Sequence, residues 1–225
     1  MCRLLGVIAN MEVSFHFSLR RFGKLGKQNP DGWGIGWYKN GKALIYKEPL
    51  QIGVNGSKFE DRRKDVYSSI MVSHVRKATC GTRSIENSHP FQYLNWIFAH
   101  NGQVDRDVLL ESLDDRFIDS VQGETDSEVY FYWVLQCIEE NGDAVKGVRK
   151  AVEYVIRNAK NVTGLNFVMS DGTNLYAFRG ALKYRDLYSL YWVKRDPETS
   201  WPLELDSDET GLTLHKKAGR GEKAV

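Results

Sequence analysis

Apolar and polar positions near the N-terminus predict a strand followed by a helix. A short apolar run within residues 1–10 (MCRLLGVIAN) has the length and the Leu and Val content of a buried first strand. In the segment Val13–Phe22, the side chains of Phe15, Leu19 and Phe22 recur at helical spacing, and glycines at positions 23 and 26 end that segment. We therefore expect β1 to lead directly into a helix.

Two turn sequences indicate antiparallel hairpins. Asn40-Gly41 and Asp171-Gly172 each lie between runs with strand-like patterns, and such dipeptides are strong short-range hairpin signals. The strands predicted on either side of the two turns are Gly32–Tyr38, Ala43–Lys47, Leu165–Ser170 and Leu175–Arg179.

The remaining pattern places two helices between groups of strands. Further strands are predicted at Ser69–Val75, Trp96–Ala99 and Leu187–Val193, with a polar loop over Lys77–Asn95. Helices are predicted at Thr125–Glu140 and Asp143–Ala159, the second with Val148, Val152 and Val155 on one apolar face. Strands, two helices and strands again predict the α+β class.

Composition and charge narrow the range of partners. Of the 225 residues, 42% are hydrophobic and 27% are charged, as in an ordinary globular protein. Without a repeat or a linker-like segment, we expect a single domain over residues 2–225, although the charged end at Gly219–Val225 favours a chain that is cut short. A net charge of +2, spread along the chain, argues against nucleic acid or an anionic membrane as partner. We expect a small-molecule substrate.

The cysteines and histidines argue against disulfides and metals. Cys2, Cys80 and Cys137 form an odd set without a Cys-x-x-Cys pair, and the N-terminal apolar run is too short for a signal peptide. These features favour a cytoplasmic protein. His74, His89 and His100 lie on separate segments without the short spacing of zinc ligands, so we expect neither a metal nor another cofactor.

Cys2 is a candidate nucleophile because removal of Met1 would make it the N-terminal residue. One residue would then carry both a thiol, with an ordinary pKa of about 8.5, and an α-amine, with an ordinary pKa of about 7.7–8.0. The amine can accept the thiol proton at neutral pH without a histidine. Position alone is weak evidence, since small buried cysteines are common.

Five motifs after Cys2 make the chain resemble the class II glutamine amidotransferases, and in particular their small stand-alone members. The motifs occupy residues 29–36 (NPDGWGIG), 73–79 (SHVRKAT), 87–90 (NSHP), 99–102 (AHNG) and 125–128 (TDSE). The resemblance extends from Cys2 to about Asp171. It implies the four-layer αββα sandwich of N-terminal-nucleophile hydrolases, with two antiparallel sheets packed face to face.

The resemblance also implies roles for individual residues. Cys2 would attack a γ-amide to form a thioester, and Asn101 and Gly102 would form the oxyanion hole. Arg76 would bind the substrate α-carboxylate and Asp126 the α-ammonium. Two further positions are predicted to contribute to binding, namely Thr79 and His89. Thr125 and Glu128 also form a capping-box pattern that would start a helix whatever the function.

Three functions remain open from the sequence. The chain could hydrolyse glutamine or a γ-glutamyl compound, as relatives in thiol degradation and ergothioneine synthesis do. It could instead deliver ammonia to a separate synthase, because no segment after about residue 190 is large enough to be a synthase domain. A third alternative is a non-catalytic glutamine-binding module that keeps Met1.

Overall fold

A computed structural model describes residues 1–194, 203–205 and 214–216. The strands are β1 (Arg3–Ser14), β2 (Trp33–Lys39), β3 (Lys42–Glu48), β4 (Tyr67–Val75), β5 (Phe91–Tyr93), β6 (Trp96–Gln103), β7 (Gly164–Ser170), β8 (Leu175–Phe178), β9 (Leu203–Leu205) and β10 (Leu214–Lys216). The helices are α1 (His16–Phe22), α2 (Phe59–Asp65), α3 (Arg106–Leu110), α4 (Asp115–Ile118), α5 (Asp126–Asn141) and α6 (Ala144–Asn158), and a 3-10 turn covers Gly23–Lys27.

Two four-stranded antiparallel sheets form the centre of the fold. The first has the order β1-β4-β2-β3 and the second the order β5-β6-β7-β8, while β9 and β10 pair with each other. In the first sheet Arg3 of β1 lies opposite Val75 of β4, which brings the N-terminus to the end of β4. In the second sheet Asn101 lies opposite Asn166.

The inner faces of the two sheets pack closely against each other. Ile70 and Val72 of the first sheet share a buried cluster with Ile97 and Val168 of the second. A Cβ atom on Gly6 would lie 2.6 Å from the Val168 side chain, so this close approach requires glycine in β1. The apolar cluster between the sheets forms the central core.

Helices cover the two outer faces. On the first sheet, α1 and α2 supply Leu19 and Phe59, and the Phe59 ring meets the Trp33 ring edge-on at 5.0 Å. On the second sheet, α5 is buried along most of its length, and the Phe131 ring stacks on Phe98 at 5.1 Å. The order helix, sheet, sheet, helix confirms the predicted αββα sandwich of the α+β class.

Both hairpins and both long helices lie close to their predicted positions. The helix predicted at Val13–Phe22 begins only at His16, because Val13 and Ser14 pair with Ser68 and Tyr67 in the first sheet. Its apolar spacing is nevertheless confirmed, since Phe15, Leu19 and Phe22 are all buried.

Two other assignments were wrong. The strand predicted at Leu187–Val193 is not formed, because the Leu187 N–H closes a turn on the Tyr184 carbonyl. The loop predicted over Lys77–Asn95 contains β5, which is only three residues long and pairs with β6. None of the helices in the described part of the chain is long and apolar enough to cross a membrane.

Candidate active site

Cys2 lies immediately before β1, beside the end of β4. Its thiol donates to the Lys77 carbonyl at 3.4 Å, and its sulfur accepts the Lys77 backbone N–H at 3.2 Å. The antiparallel pairing of Arg3 with Val75 produces this contact, because it sets Cys2 against the residues that follow β4. Within the described residues, the half-buried Cys2 thiol is therefore held by backbone atoms of Lys77.

The protonation of this site depends on its burial. Burial raises the pKa of the Cys2 thiol, although the N–H from Lys77 acts in the opposite direction by stabilising the thiolate. Burial, followed by the positive charge of Lys77, lowers the pKa of the α-amine on Met1. With Met1 attached, the nitrogen of Cys2 is a peptide nitrogen, so only a Met1-free chain carries a basic amine on Cys2.

Asn101 and Gly102 lie near the end of β6, next to Cys2. The Asn101 side-chain N–H donates to the Cys2 carbonyl at 3.1 Å, and the Asn101 carbonyl accepts from the side-chain amide of Asn166 at 2.9 Å. At position 102 a Cβ atom would collide with the Gly164 carbonyl on β7, so the close strand contact requires glycine. The neighbouring strand thus fixes the position of both residues.

His100 connects β6 to the rest of the site. Its Nε2 lies 3.1 Å from the Gly164 carbonyl, which can only accept, so Nε2 carries the proton. Its Nδ1 then accepts from the Ser127 hydroxyl at 2.8 Å. Burial lowers the pKa of His100 and keeps the ring neutral. One imidazole thereby joins β6, β7 and the start of α5.

A pocket of about 240 Å³ lies beside Cys2. Cys2, Asn101, Gly102 and Thr79 all line it, so the structure brings four of the predicted site residues together. The other lining residues are Met1, Lys77, Gln103, Thr163, Tyr184, Leu187 and Tyr188. This volume lies below the roughly 300–1,000 Å³ typical of sites for drug-sized ligands, and is suited to an amino-acid-sized one.

Arg76 lies buried beneath the loop of residues 80–82 that follows it. Its guanidinium donates to the carbonyls of Cys80, Gly81 and Thr82 at 2.7, 3.2 and 3.1 Å. In this conformation, the guanidinium donates to backbone oxygens. The family resemblance had assigned these same donors to a substrate carboxylate.

Asp126 forms the first turn of α5 and is also buried. Its carboxylate accepts from the backbone N–H groups of Val104 at 2.8 Å and Ser127 at 2.9 Å. The thiol of Cys80 donates to the same carboxylate at 3.3 Å. Cys80 therefore contacts Arg76 through its carbonyl and Asp126 through its thiol. Its position four residues after Arg76 could have suggested the first of these contacts.

The predicted capping box is formed in part. The Glu128 N–H donates to the Thr125 hydroxyl at 3.3 Å, which is the expected helix cap. The Glu128 carboxylate instead accepts the N–H groups of Gln122 and Gly123, at 3.1 and 2.7 Å. Glu128 thus fixes the loop that leads into α5.

His89 packs in a buried aromatic stack. Its ring centroid lies 4.2 Å from that of His74 and 4.6 Å from that of Phe91. Among the described residues, neither ring nitrogen of His89 has a hydrogen-bond partner, and burial lowers the pKa of both His89 and His74. The structure thus places His89 among buried rings, away from the pocket-lining residues given above.

The motif at residues 29–36 supports the loop over Arg76. The Asp31 N–H donates to the Arg76 carbonyl at 3.1 Å, and the Asp31 carboxylate accepts the Ala78 N–H at 2.8 Å. Arg83 forms an ion pair with the same carboxylate. Asp31 therefore holds both ends of the loop, a role that the sequence did not predict.

The sequence pattern did not predict the pocket wall formed by Tyr184, Leu187 and Tyr188, because part of this segment was interpreted as a strand.

No group of three or more His, Cys, Asp or Glu side chains within the described residues is arranged to hold a metal ion.

Comparison with known proteins identifies the family of the chain. The family model for class II glutamine amidotransferases matches residues 1–224. The chain is 31% identical over 206 residues to an uncharacterized protein of Methanocaldococcus jannaschii, covering 88% of this chain but only 55% of that relative's length. It is 32% identical over 222 residues to YafJ of Escherichia coli, which has a provisional glutamine amidotransferase name, covering 92% of this chain and 82% of YafJ.

A more distant relative and a solved structure complete the comparison. A γ-glutamyl-hercynylcysteine sulfoxide hydrolase of Mycobacterium tuberculosis is 33% identical over 87 residues, which cover 38% of this chain and 37% of the hydrolase. The fold resembles a class II glutamine aminotransferase domain protein from Silicibacter pomeroyi, with a TM-score of 0.58, 20% identity, and coverage of 82% of this chain and 79% of the other. The motifs, the fold and the match over residues 1–224 together establish that the chain belongs to the class II glutamine amidotransferases.

Proposed function

We propose that the chain hydrolyses the γ-amide of glutamine or of a γ-glutamyl compound through a thioester on Cys2. The observation that supports this proposal is the shared pocket, which Cys2, Asn101 and Gly102 all line, with the Asn101 side-chain amide bonded to the Cys2 carbonyl. The partial similarity to a hydrolase of a γ-glutamyl compound supports the same chemistry.

The first step of the proposed reaction forms the thioester. After removal of Met1, the free α-amine of Cys2 accepts the thiol proton, and the thiolate attacks the amide carbon. Asn101 and Gly102 then stabilise the negative oxygen, because donors fixed in advance need no reorganisation during the reaction. The C–N bond breaks as the leaving nitrogen takes the proton from the α-ammonium group. Water then attacks the thioester and releases glutamate.

Arg76 and Asp126 are proposed to bind the α-carboxylate and α-ammonium of the glutamyl group, with Thr79 adding a hydroxyl. Burial of both charges supports this role, since a buried ion pair with a substrate is stronger than an exposed one. The loop 80–82 must then move, because its carbonyls accept hydrogen bonds from Arg76 and the Cys80 thiol donates to Asp126. His89 is proposed to act indirectly, by packing behind the site.

Release of glutamate and ammonia from glutamine, compared between the Met1-free wild type and Cys2→Ser, tests the proposal. We expect Cys2→Ser to abolish hydrolysis and Cys137→Ala to retain it, because Cys137 is a free thiol buried in α5. Full activity in Cys2→Ser would sink the proposal. Feeble wild-type activity that rises with an added synthase and its acceptor would favour ammonia delivery instead.

A further inference from the structure

One wall of the pocket lies outside the residues proposed to bind the glutamyl group. It is formed by residues 182–188, from which Tyr184, Leu187 and Tyr188 line the cavity. We call this segment the 182–188 wall. Its start is fixed to the chain before β7, because the N–H groups of Leu182 and Lys183 both donate to the Thr163 carbonyl, at 3.1 and 2.9 Å.

The far end of the 182–188 wall is equally well held. The hydroxyl groups of Tyr188 and Thr163 lie 3.1 Å apart, and the Tyr188 side chain is only 8% exposed. Arg179 donates to the Tyr188 carbonyl at 2.6 Å and to the Arg185 carbonyl at 3.0 Å. These contacts fix the backbone of the wall relative to β7 and β8.

Two apolar side chains on this fixed backbone remain exposed at the pocket. Tyr184 is 64% exposed and Leu187 is 58% exposed, and Tyr184 has a φ of 53°, a conformation unfavourable for a residue with a side chain. An exposed apolar patch beside a cavity marks a candidate binding surface.

We propose that the 182–188 wall binds the leaving amine, and that the preferred substrates are γ-glutamyl amides whose amine carries an apolar group. This inference rests on the proposed function. The amide carbon that Cys2 would attack lies between two halves of the substrate, the glutamyl group and the leaving amine. The glutamyl half belongs with Thr79 and the loop over Arg76, so the amine half faces the remaining wall. Ammonia, the leaving group of glutamine, would leave Tyr184 and Leu187 without a contact.

Two substrates that differ only in the leaving side chain test the inference. We would compare kcat/KM of the Met1-free protein for γ-glutamyl-L-phenylalanine and γ-glutamylglycine, whose leaving amines both carry a carboxylate. Burying the benzyl group against Tyr184 and Leu187 is expected to favour the first by at least about tenfold. Equal values, or a preference for γ-glutamylglycine, would overturn the inference.

The double variant Tyr184→Ala/Leu187→Ala locates the preference. It is expected to reduce the ratio to about threefold or less, because kcat/KM for γ-glutamyl-L-phenylalanine should fall more than kcat/KM for γ-glutamylglycine. Tyr191→Ala is the matched control, because Tyr191 is 87% exposed but does not line the pocket, and it should keep the full ratio. A preference that survives in the double variant, or is lost equally in the control, would overturn the assignment to this wall.

Labelling by 6-diazo-5-oxonorleucine, a glutamine analogue that alkylates the nucleophile, separates the two proposals. It carries the glutamyl half but no leaving amine. A wild type that is labelled on Cys2 yet shows no preference for the benzyl group contradicts only the 182–188 wall. A wild type that is neither labelled nor active on glutamine, γ-glutamyl-L-phenylalanine or γ-glutamylglycine contradicts the proposed function and this inference with it.

Discussion

The backbone N–H of Lys77 donates to the Cys2 sulfur at 3.2 Å, while the thiol donates back to the Lys77 carbonyl at 3.4 Å. This reciprocal contact fixes the sulfur at the edge of the first sheet through backbone atoms of Lys77. Because the donor is a backbone group, substitution of the Lys77 side chain leaves the contact in place. In the proposed mechanism the base is instead the free α-amine that removal of Met1 would supply on Cys2.

Loss of the proposed oxyanion donor should slow the reaction while sparing the fold. In Asn101→Ala we expect kcat to fall about 10²–10³-fold, as found when one oxyanion donor is removed from an enzyme. Asn158→Ala is the matched control, since Asn158 also donates from its side chain to a backbone carbonyl but lies at the end of α6. Rates of glutamate release, with circular dichroism to confirm folding, measure the effect. Near-normal turnover in Asn101→Ala would rule out this role.

The charge of Asp126 should matter only for substrates that carry an α-ammonium group. Asp126→Asn keeps a hydrogen-bond acceptor for the Val104 N–H but removes the negative charge. We expect kcat/KM for glutamine to fall at least about tenfold, the loss expected for a charge-assisted hydrogen bond.

Glutaramate, which is glutamine without its α-ammonium, provides the control substrate for Asp126→Asn. Its kcat/KM should change little, because it has no group for Asp126 to bind. An equal loss for both substrates would show that Asp126 acts only on the structure, through its contacts with Val104 and Ser127.

The buried histidines should make the protein sensitive to acid. Burial lowers the pKa of His74 to about 3, and it also lowers the pKa values of His89 and His100 below the ordinary value near 6.5. As the pH falls below about 6.5, the unfolded chain therefore takes up protons that the folded chain does not. The stability contributed by the neutral rings is complete above that pH and is lost progressively below it.

His89→Phe isolates one of these groups. In the part of the chain that the structure describes, the ring nitrogens of His89 have no hydrogen-bond partner, so phenylalanine removes a titrating group without breaking a bond there. Between about pH 7.5 and pH 5.5, the variant should lose about 1.4 kcal/mol less free energy of unfolding than the wild type. Urea unfolding at the two pH values measures this difference. Identical losses in the two proteins would contradict the prediction.

Local signals in the sequence predicted the hairpins and long helices because the relevant interactions lie within a few residues. Asn40 and Gly41 both adopt positive φ, as their turn requires. The layered architecture and the meeting of Cys2 with Asn101, 99 residues apart, came from the family resemblance, since no periodicity links such distant positions.

Other features of the site depend on packing that the sequence pattern does not encode. The carbonyls that bind the Arg76 guanidinium belong to a short loop whose path is set by Asp31 and Arg83. The segment Leu187–Val193 has strand-like composition, but the bonds that fix residues 182–188 to Thr163 and Arg179 exclude a strand at its start.

Intact mass before and after treatment with 6-diazo-5-oxonorleucine, with peptide sequencing of any adduct, tests the central claim most directly. We expect a protein that lacks Met1 and gains a single adduct on Cys2, which would establish the nucleophile and the glutamyl pocket together. A protein that retains Met1 and gains no adduct would contradict the account and favour a non-catalytic glutamine-binding module.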